Sequence, residues 1–275
     1  MVCHETYKDP DNNWVSPEEI ETIHGIKYLK NDKSKEIKVG PSESMSKSKK
    51  NTIDPEKIIS NYGADAARLF ILSDSPPEKD VQWSEEGIAS SFKFVQKLWN
   101  LNSKILEEIK KNHDKNHDQE ITKFTNKLIK KVTENLENFS YNKIIANLHE
   151  MHSFMLSQIK NNYSQKTLIE NYQKILILIS PIIPHFASEC LEIIGIKNNN
   201  IEWPKFEEKF VQDEKINIVI QINGKKRGII LLKKDTEENE IIDLIKKDTK
   251  LFKYLDSKEI RKKIFVKNKI INLIV

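Results

Sequence analysis

The segment Ser44-Met45-Ser46-Lys47-Ser48-Lys49-Lys50 puts three hydroxyls and three ammonium groups into seven residues. Such a set can close over phosphates, because ammonium groups neutralise developing charge while hydroxyls and backbone N–H groups donate hydrogen bonds. Composition alone is weak here, since most Ser/Lys-rich loops are merely solvated. A second set of cations lies much later: Lys225, Lys226 and Arg227, then Arg261, Lys262, Lys263, Lys267 and Lys269. Grouped cations suit a polyanion, most often nucleic acid, although any single lysine is usually only surface.

Other reactive side chains read as structural. His113 and His117 sit four apart, as metal ligands on a helix can, but the flanking Asn and Asp residues indicate a loop, so no metal is expected. Cys3 and Cys190 form no CxxC pair and cannot build a disulfide framework, which fits a reducing cytoplasm. Cys190 with His185 reads as helix-face packing beside a proline kink. Asp65 and Arg68 share a helix face and read as a structural ion pair, and Trp99 and Met151 read as core.

These groups have to be placed by secondary structure. The first fifty residues are short extended pieces punctuated by Pro10, Gly25, Gly40 and Pro41, and the opening stretch reads as the interior of a larger domain. Asp54-Pro55 is a cap with proline at the first helical position, and Gly63 closes that helix. Ala64–Ser73 continues as a second short helix. Ser84 opens a long one, whose Ile88, Phe92, Val95, Trp99 and Ile105 are expected to share one face. After a polar loop over residues 111–120, Ile121, Phe124, Leu128, Val132 and Leu136 mark another helix. Ser140 is expected to cap the next, which carries Ile144, Ile145, Leu148, Met151 and Met155. A final helical stretch, about Leu168 to Ile194, is interrupted at Pro181 and Pro184. Helices of this length bury their stripes as an antiparallel bundle. Residues 201–214 have linker composition around Trp203-Pro204. The alternation from Ile216 to Ile222, the Asn223-Gly224 turn, a helix through Ile241 and Ile245 and two more strands give a ββαββ order.

Of 275 residues, 38% are hydrophobic and 31% charged, and no apolar run approaches the ~18 residues of a membrane span. The basic residues are 42 lysines and three arginines, which looks like a coding bias. The net charge of +4 divides into +8 over residues 215–275 and −4 over the rest. A basic module thus follows a mildly acidic body.

The string Ser44–Ser48 resembles the KMSKS signature of class I aminoacyl-tRNA synthetases, and N-T-I-D-P followed by Y-G-A-D-A-A-R-L-F resembles the segment after it. S-P-P-E-K-D-V-Q-W-S-E-E-G-I (75–88), S-Y-N-K-I-I-A-N-L (140–148), S-P-I-I-P-H-F-A-S-E (180–189), E-W-P-K-F (202–206) and I-N-G-K-K-R-G (222–228) are similar to the bacterial-type leucyl-tRNA synthetases. The resemblance runs through the whole chain in order and implies the C-terminal part of such an enzyme. It implies a mainly α fold: a remnant of the catalytic domain with the signature loop (1–60), a helical anticodon-binding-type bundle (61–200), a linker (201–214) and a small ββαββ domain (215–275).

The activity implied is ligation of leucine to its tRNA through leucyl-adenylate, with ATP as substrate and Mg2+ expected from the family. Ser44, Met45, Ser46, Lys47 and Ser48 would bind ATP, and Lys47 would stabilise the phosphates during activation. The eight later cations would contact tRNA. A cytoplasmic monomer with no membrane partner is expected. Ser44 stands where the family usually has the first lysine, which implies weaker ATP affinity or compensation by Lys49 or Lys50. The HIGH-type signature is missing, and Ile23-His24-Gly25 is not a substitute, so the isolated chain is expected to be inactive. The competing readings are a non-catalytic tRNA-binding module and the C-terminal part of an isoleucyl, valyl or methionyl enzyme; the latter is disfavoured by the ββαββ ending.

Overall fold

Strand β1 (Val2–Lys8) is the centre of a three-stranded sheet, pairing antiparallel with β5 (Lys38–Ser44) and parallel with the two-residue β6 (Val81–Gln82). Between β1 and β5, the strands β2 (Ile20–Ile23), β3 (Ile26–Leu29) and β4 (Asp32–Glu36) form a separate antiparallel meander. Tyr7, Val15 and Ile37 make a small core under it. The structure is a computed structural model that describes residues 1–73, 76, 78–111, 118–161, 163–196, 201–211, 215–255 and 259–275. His113 and His117 lie outside the described residues.

The signature loop leads from β5 into helix α1 (Pro55–Tyr62). Asp54 caps it, accepting a hydrogen bond from the Glu56 N–H at 2.9 Å, and Gly63 ends it at φ 81°. Helix α2 (Ala64–Ser73) follows directly, then α3 (Glu85–Ile109), capped by Ser84, whose hydroxyl accepts from the Gly87 N–H at 3.1 Å. Gly87 is required by packing: a Cβ there would come within 2.5 Å of the Phe70 ring. Ile58, Ala66, Phe70, Val81 and Ile88 close the core shared by these helices and β6.

The bundle is completed by α4 (Asp118–Glu137), α5 (Tyr141–Gln158), α6 (Gln165–Ile179) and α7 (Pro184–Ile193). Its core gathers Leu98, Leu101, Ile105, Ile121, Leu128, Val132, Ile144, Leu148, Met151, Ile175 and Leu178, among others. Contrary to the sequence expectation, the apolar residues of α3 do not share one face. The buried residues facing this core are Phe94, Leu98, Leu101 and Ile105, centred roughly 120° round the helix from Phe92, Val95 and Trp99. Phe92 packs instead on the α1/α2 core, and Val95 lies between the two cores, touching both. Trp99 is 36% exposed, its ring edge-on to Phe186 at 4.9 Å, so it is not core; Met151 is. Ser140 does occupy the N-cap of α5 but makes no side-chain cap bond.

Asp65 and Arg68 do not pair. Arg68 donates to the carbonyls of Pro181 (2.7 Å) and Ile182 (3.1 Å), whereas Asp65 accepts from the backbone of His185 and Phe186. The break between α6 and α7 leaves backbone groups unpaired, and both side chains serve it. Cys190 is fully buried as expected, but His185 is largely exposed, with its Nδ1 3.3 Å from Asp65.

Backbone contacts divide the chain at Glu207/Glu208, inside the stretch read as a linker. Trp203 belongs to the first unit: its indole donates to the Thr133 hydroxyl at 2.9 Å, and Ile201, Trp203 and Phe206 pack on the bundle core. The second unit, Glu208–Val275, starts with α8 (Glu208–Val211). Strands β7 (Lys215–Ile222) and β8 (Lys225–Lys233) form a hairpin whose Asn223 and Gly224 both take positive φ, at 51° and 74°. Helices α9 (Glu238–Lys247) and α10 (Thr249–Phe252) lead to β9 (Lys262–Val266) and β10 (Ile270–Ile274). The sheet order is β8-β7-β10-β9, with β10 parallel to β7. Ile218, Ile220, Ile222, Ile271 and Leu273 are buried with Ile241 and Ile245 of α9. The described chain is thus mainly helical, with three small sheets.

Candidate functional site

The signature loop is held by its backbone. Met45 N–H donates to the Val2 carbonyl at 3.2 Å, and Met45 with Val2, Ile53, Ile58 and Trp83 lines an apolar hollow of about 270 Å³. Beyond Met45 the chain turns tightly. Lys50 N–H donates to the Lys47 carbonyl at 3.2 Å, Lys49 N–H to the Ser46 hydroxyl at 3.4 Å, and the Ser46 and Ser48 hydroxyls lie 3.2 Å apart. Lys50 closes the turn at φ 53°, a conformation that favours glycine.

This turn sorts the three lysines. Lys49 is ion-paired with Glu43 on β5. Lys47 and Lys50 are exposed, and neither forms an ion pair among the described residues. Ser44 is partly covered beside the Cys3 thiol, 4.0 Å from its sulfur. Next to the loop on β1, burial holds the His4 imidazole below its ordinary pKa, and it is neutral near pH 7. The arrangement offers an exposed ammonium and two hydroxyls at the end of a sheet, a set suited to phosphate oxygens.

A residue that the motif reading did not single out organises this loop. Asn51 is fully buried; its Oδ1 accepts from the Ser46 N–H at 2.8 Å, and its Nδ2 donates to the carbonyls of His4 and Glu43, both at 3.2 Å. Composition could not have found it, because an asparagine beside lysines in a polar segment reads as solvated.

The later cations fall into two groups on the second unit's sheet. Lys225 pairs with Ile222, Ile222 with Leu273, and Leu273 with Lys263, so Lys225–Arg227 and Arg261–Lys263 lie at one end of the sheet on opposite edges. Three strand spacings separate those edges by roughly 14 Å. Lys267 and Lys269 sit in the β9–β10 turn at the other end, roughly 13 Å along the strand from Lys263. All eight are exposed, with different partners. The Arg227 guanidinium lies over the Tyr254 ring at 4.2 Å, Lys263 is 3.9 Å from Glu238, and Lys267 is 3.4 Å from Asp235. The Asn268 amide and then Lys267 hold the Asp235 carboxyl below its usual range. Among the described residues, no three His, Cys, Asp or Glu side chains come together as metal ligands, and no helix is long and apolar enough to cross a membrane.

Comparison with known proteins matches both regions. Residues 38–84 match the family of tRNA synthetases class I (I, L, M and V), and residues 118–242 match the anticodon-binding domain of tRNA ligase. LeuRS of Agrobacterium radiobacter K84 agnB2, solved as a ternary complex with tRNA and LeuAMS, shares the fold. It aligns with a TM-score of 0.71 and 24% identity over 84% of this chain and 31% of its own. The loop and the bundle are thus each similar to a family of tRNA ligases, and the fold is similar to that of LeuRS. Relatives that match the chain from end to end include leucine–tRNA ligases. That of Orientia tsutsugamushi is 40% identical over 100% of this chain and 33% of its own length. Those of Rickettsia massiliae (36%) and Zymomonas mobilis (34%) also match all of this chain, over 33% and 32% of theirs. The chain spans about a third of the length of these relatives.

Proposed function

We propose that the chain supplies the signature loop and the tRNA-binding parts of an enzyme that ligates leucine to its tRNA. The observation that carries this reading is the 34–40% identity to leucine–tRNA ligases along its whole length. In the first step the leucine carboxylate attacks the α-phosphorus of ATP, forming leucyl-adenylate and releasing pyrophosphate. In the second a hydroxyl at the 3′ end of the tRNA attacks the leucyl carbonyl, forming the ester and releasing AMP. ATP, accompanied by Mg2+, is a substrate, and no residue of this chain is assigned to the metal.

Lys47 carries the catalytic role. Its side chain is exposed where the turn begins, and its ammonium meets charge as it moves from the α-phosphate towards pyrophosphate. Ser44, Met45, Ser46 and Ser48 complete the ATP-binding loop. Of the two lysines that could offset Ser44, Lys50 is the one without an ion pair among the described residues; Lys49 is engaged by Glu43. Residues 1–60 act as the catalytic-domain segment, 61–200 as the anticodon-binding-type bundle, 201–214 as a linker and 215–275 as the tRNA-contacting domain. The tRNA contacts assigned are Lys225, Lys226, Arg227, Arg261, Lys262, Lys263, Lys267 and Lys269. The enzyme works as a cytoplasmic monomer, and this chain alone is inactive.

The test is complementation. The purified chain is mixed with the remaining two-thirds of the Orientia relative, and leucylation is assayed with Lys47→Ala as control. Activity that needs both parts and falls with Lys47→Ala supports the reading. Leucine-dependent pyrophosphate exchange by the 275-residue chain alone overturns the division of labour. Salt-sensitive tRNA binding without complementation favours the stand-alone tRNA-binding module.

A further inference from the structure

We propose that Asn51 is a positioning residue that sets the backbone beneath Lys47, and through it the rate of the activation step; this rests on the function proposed above. Its carboxamide offers two N–H donors and one acceptor oxygen, and each is used on a different piece of chain. The two donors reach His4 on β1 and Glu43 on β5, which face each other in the strand register. The side chain thus bridges the two strands where they run out. Its oxygen takes the N–H of Ser46, the residue just before Lys47.

Lys47 is therefore held from both sides. Ser46 is fixed by Asn51, and the Lys47 carbonyl is fixed by the Lys50 N–H. Lys50 takes a left-handed conformation that turns the chain back towards the sheet, with Asn51 following directly. A lysine in that conformation is unfavourable, and it persists because the buried amide beyond it satisfies three backbone groups. Only the end of the Lys47 side chain remains free, so the ammonium is anchored at its base and mobile at its tip. Without the anchor the ammonium is still present but its positions spread, which weakens a contact that matters most when charge relocates.

Asn51→Asp is the discriminating substitution, because it keeps the shape and the acceptor for Ser46 but turns a carboxylate oxygen towards two carbonyls. In the complemented enzyme, kcat for leucine-dependent pyrophosphate exchange should fall at least tenfold, with KM for ATP changed by less than threefold. On a Lys47→Ala background the same substitution should cost less than threefold more, since Asn51 acts through Lys47. In the chain alone, repulsion from the His4 and Glu43 carbonyls should draw the carboxylate away from its acceptor position, so the Ser46 amide loses hydrogen-exchange protection while α1 keeps its own. If Asn51→Asp unfolds the chain, Asn51→Ser, which keeps one donor, enters the same cycle. Effects that multiply in full across the cycle, or an unchanged kcat beside an impaired Lys47→Ala enzyme, overturn this inference and leave the proposed function standing. Absence of exchange in the unmodified complemented enzyme counts against the function instead.

Discussion

The Asp65 carboxylate accepts the backbone N–H of Phe186 at 2.7 Å and that of His185 at 3.2 Å, so a side chain of α2 caps the N-terminus of α7. The N-cap residue of α7, Ile183, has no side chain able to do this, and Asp65 is 7% exposed. Its charge also lies at the positive end of the helix dipole. Asp65→Ala leaves two N–H groups without their acceptor and should lower stability by about 2 kcal/mol, with Asp65→Asn costing less. Urea unfolding followed by circular dichroism checks the order of the three proteins. Equal midpoints for the wild type and Asp65→Ala would mean that the cap contributes nothing.

Lys50 offers a prediction of opposite sign. At φ 53° its side chain opposes the turn, and glycine relieves that strain at some cost in unfolded-state entropy. Lys50→Gly should raise stability by up to about 1 kcal/mol and slow exchange of the Ser46 amide. Lys50→Val should do the reverse, since a branched side chain tolerates this conformation least. Amide exchange on the three proteins would settle the ranking.

The tRNA-facing cations predict a salt dependence with a spatial pattern. Removing one cation from a phosphate lowers the log–log slope of affinity against salt by roughly 0.7–0.9. Replacing Lys225, Lys226 and Lys262 by alanine should therefore reduce the slope by roughly two to three. Replacing Lys267 and Lys269 should change it by less than about one, because Lys267 is already paired with Asp235. Fluorescence anisotropy with labelled leucine tRNA over a KCl series reads both numbers. Equal reductions per cation at the two ends would mean that the pair with Asp235 does not weaken the Lys267 contact.

Cys190 tests the interior by pH. Burial pushes its thiol up to about 12, against the hydroxyl of Tyr172, which burial raises as well. The folded protein therefore binds this proton more tightly than the unfolded chain does. The stabilisation is complete below pH 9 and is lost as pH rises towards 12, so stability should decline above pH 9. At pH 8 the native thiolate fraction is on the order of 10⁻⁴, and Cys190 should resist Ellman's reagent until denaturant is added. Rapid labelling of Cys190 in the native chain at pH 8 would contradict the packing described for α6 and α7.

Much of this architecture can be read locally. Asp54, Pro55, Ser84 and Asn223-Gly224 act within three or four residues of themselves, and their sequence neighbours identify them. What could not be read depends on partners far along the chain. Asp65 and Arg68 have ion-pair spacing, yet the backbone groups at the α6–α7 break compete for both, more than a hundred residues away. The α3 helix has two apolar faces, and only packing decides which one meets the bundle. The basic residues look like one cluster in sequence, but the β7–β10 pairing sends them to opposite edges. Likewise the motif marks Lys47, whereas the amide that fixes its backbone belongs to no pattern of charge or hydropathy.

The place of β10 between β7 and β9 has a kinetic side. During synthesis β7 and β8 can zip together at once, but the other edge of β7 must wait for a strand that begins 48 residues after Ile222. Until then a row of backbone N–H and C=O groups flanked by isoleucines stands open, the kind of template on which unrelated strands add. For a short interval, this regular hairpin also carries an adhesive edge. Chaperone dependence during expression should centre on this hairpin rather than on the helical bundle.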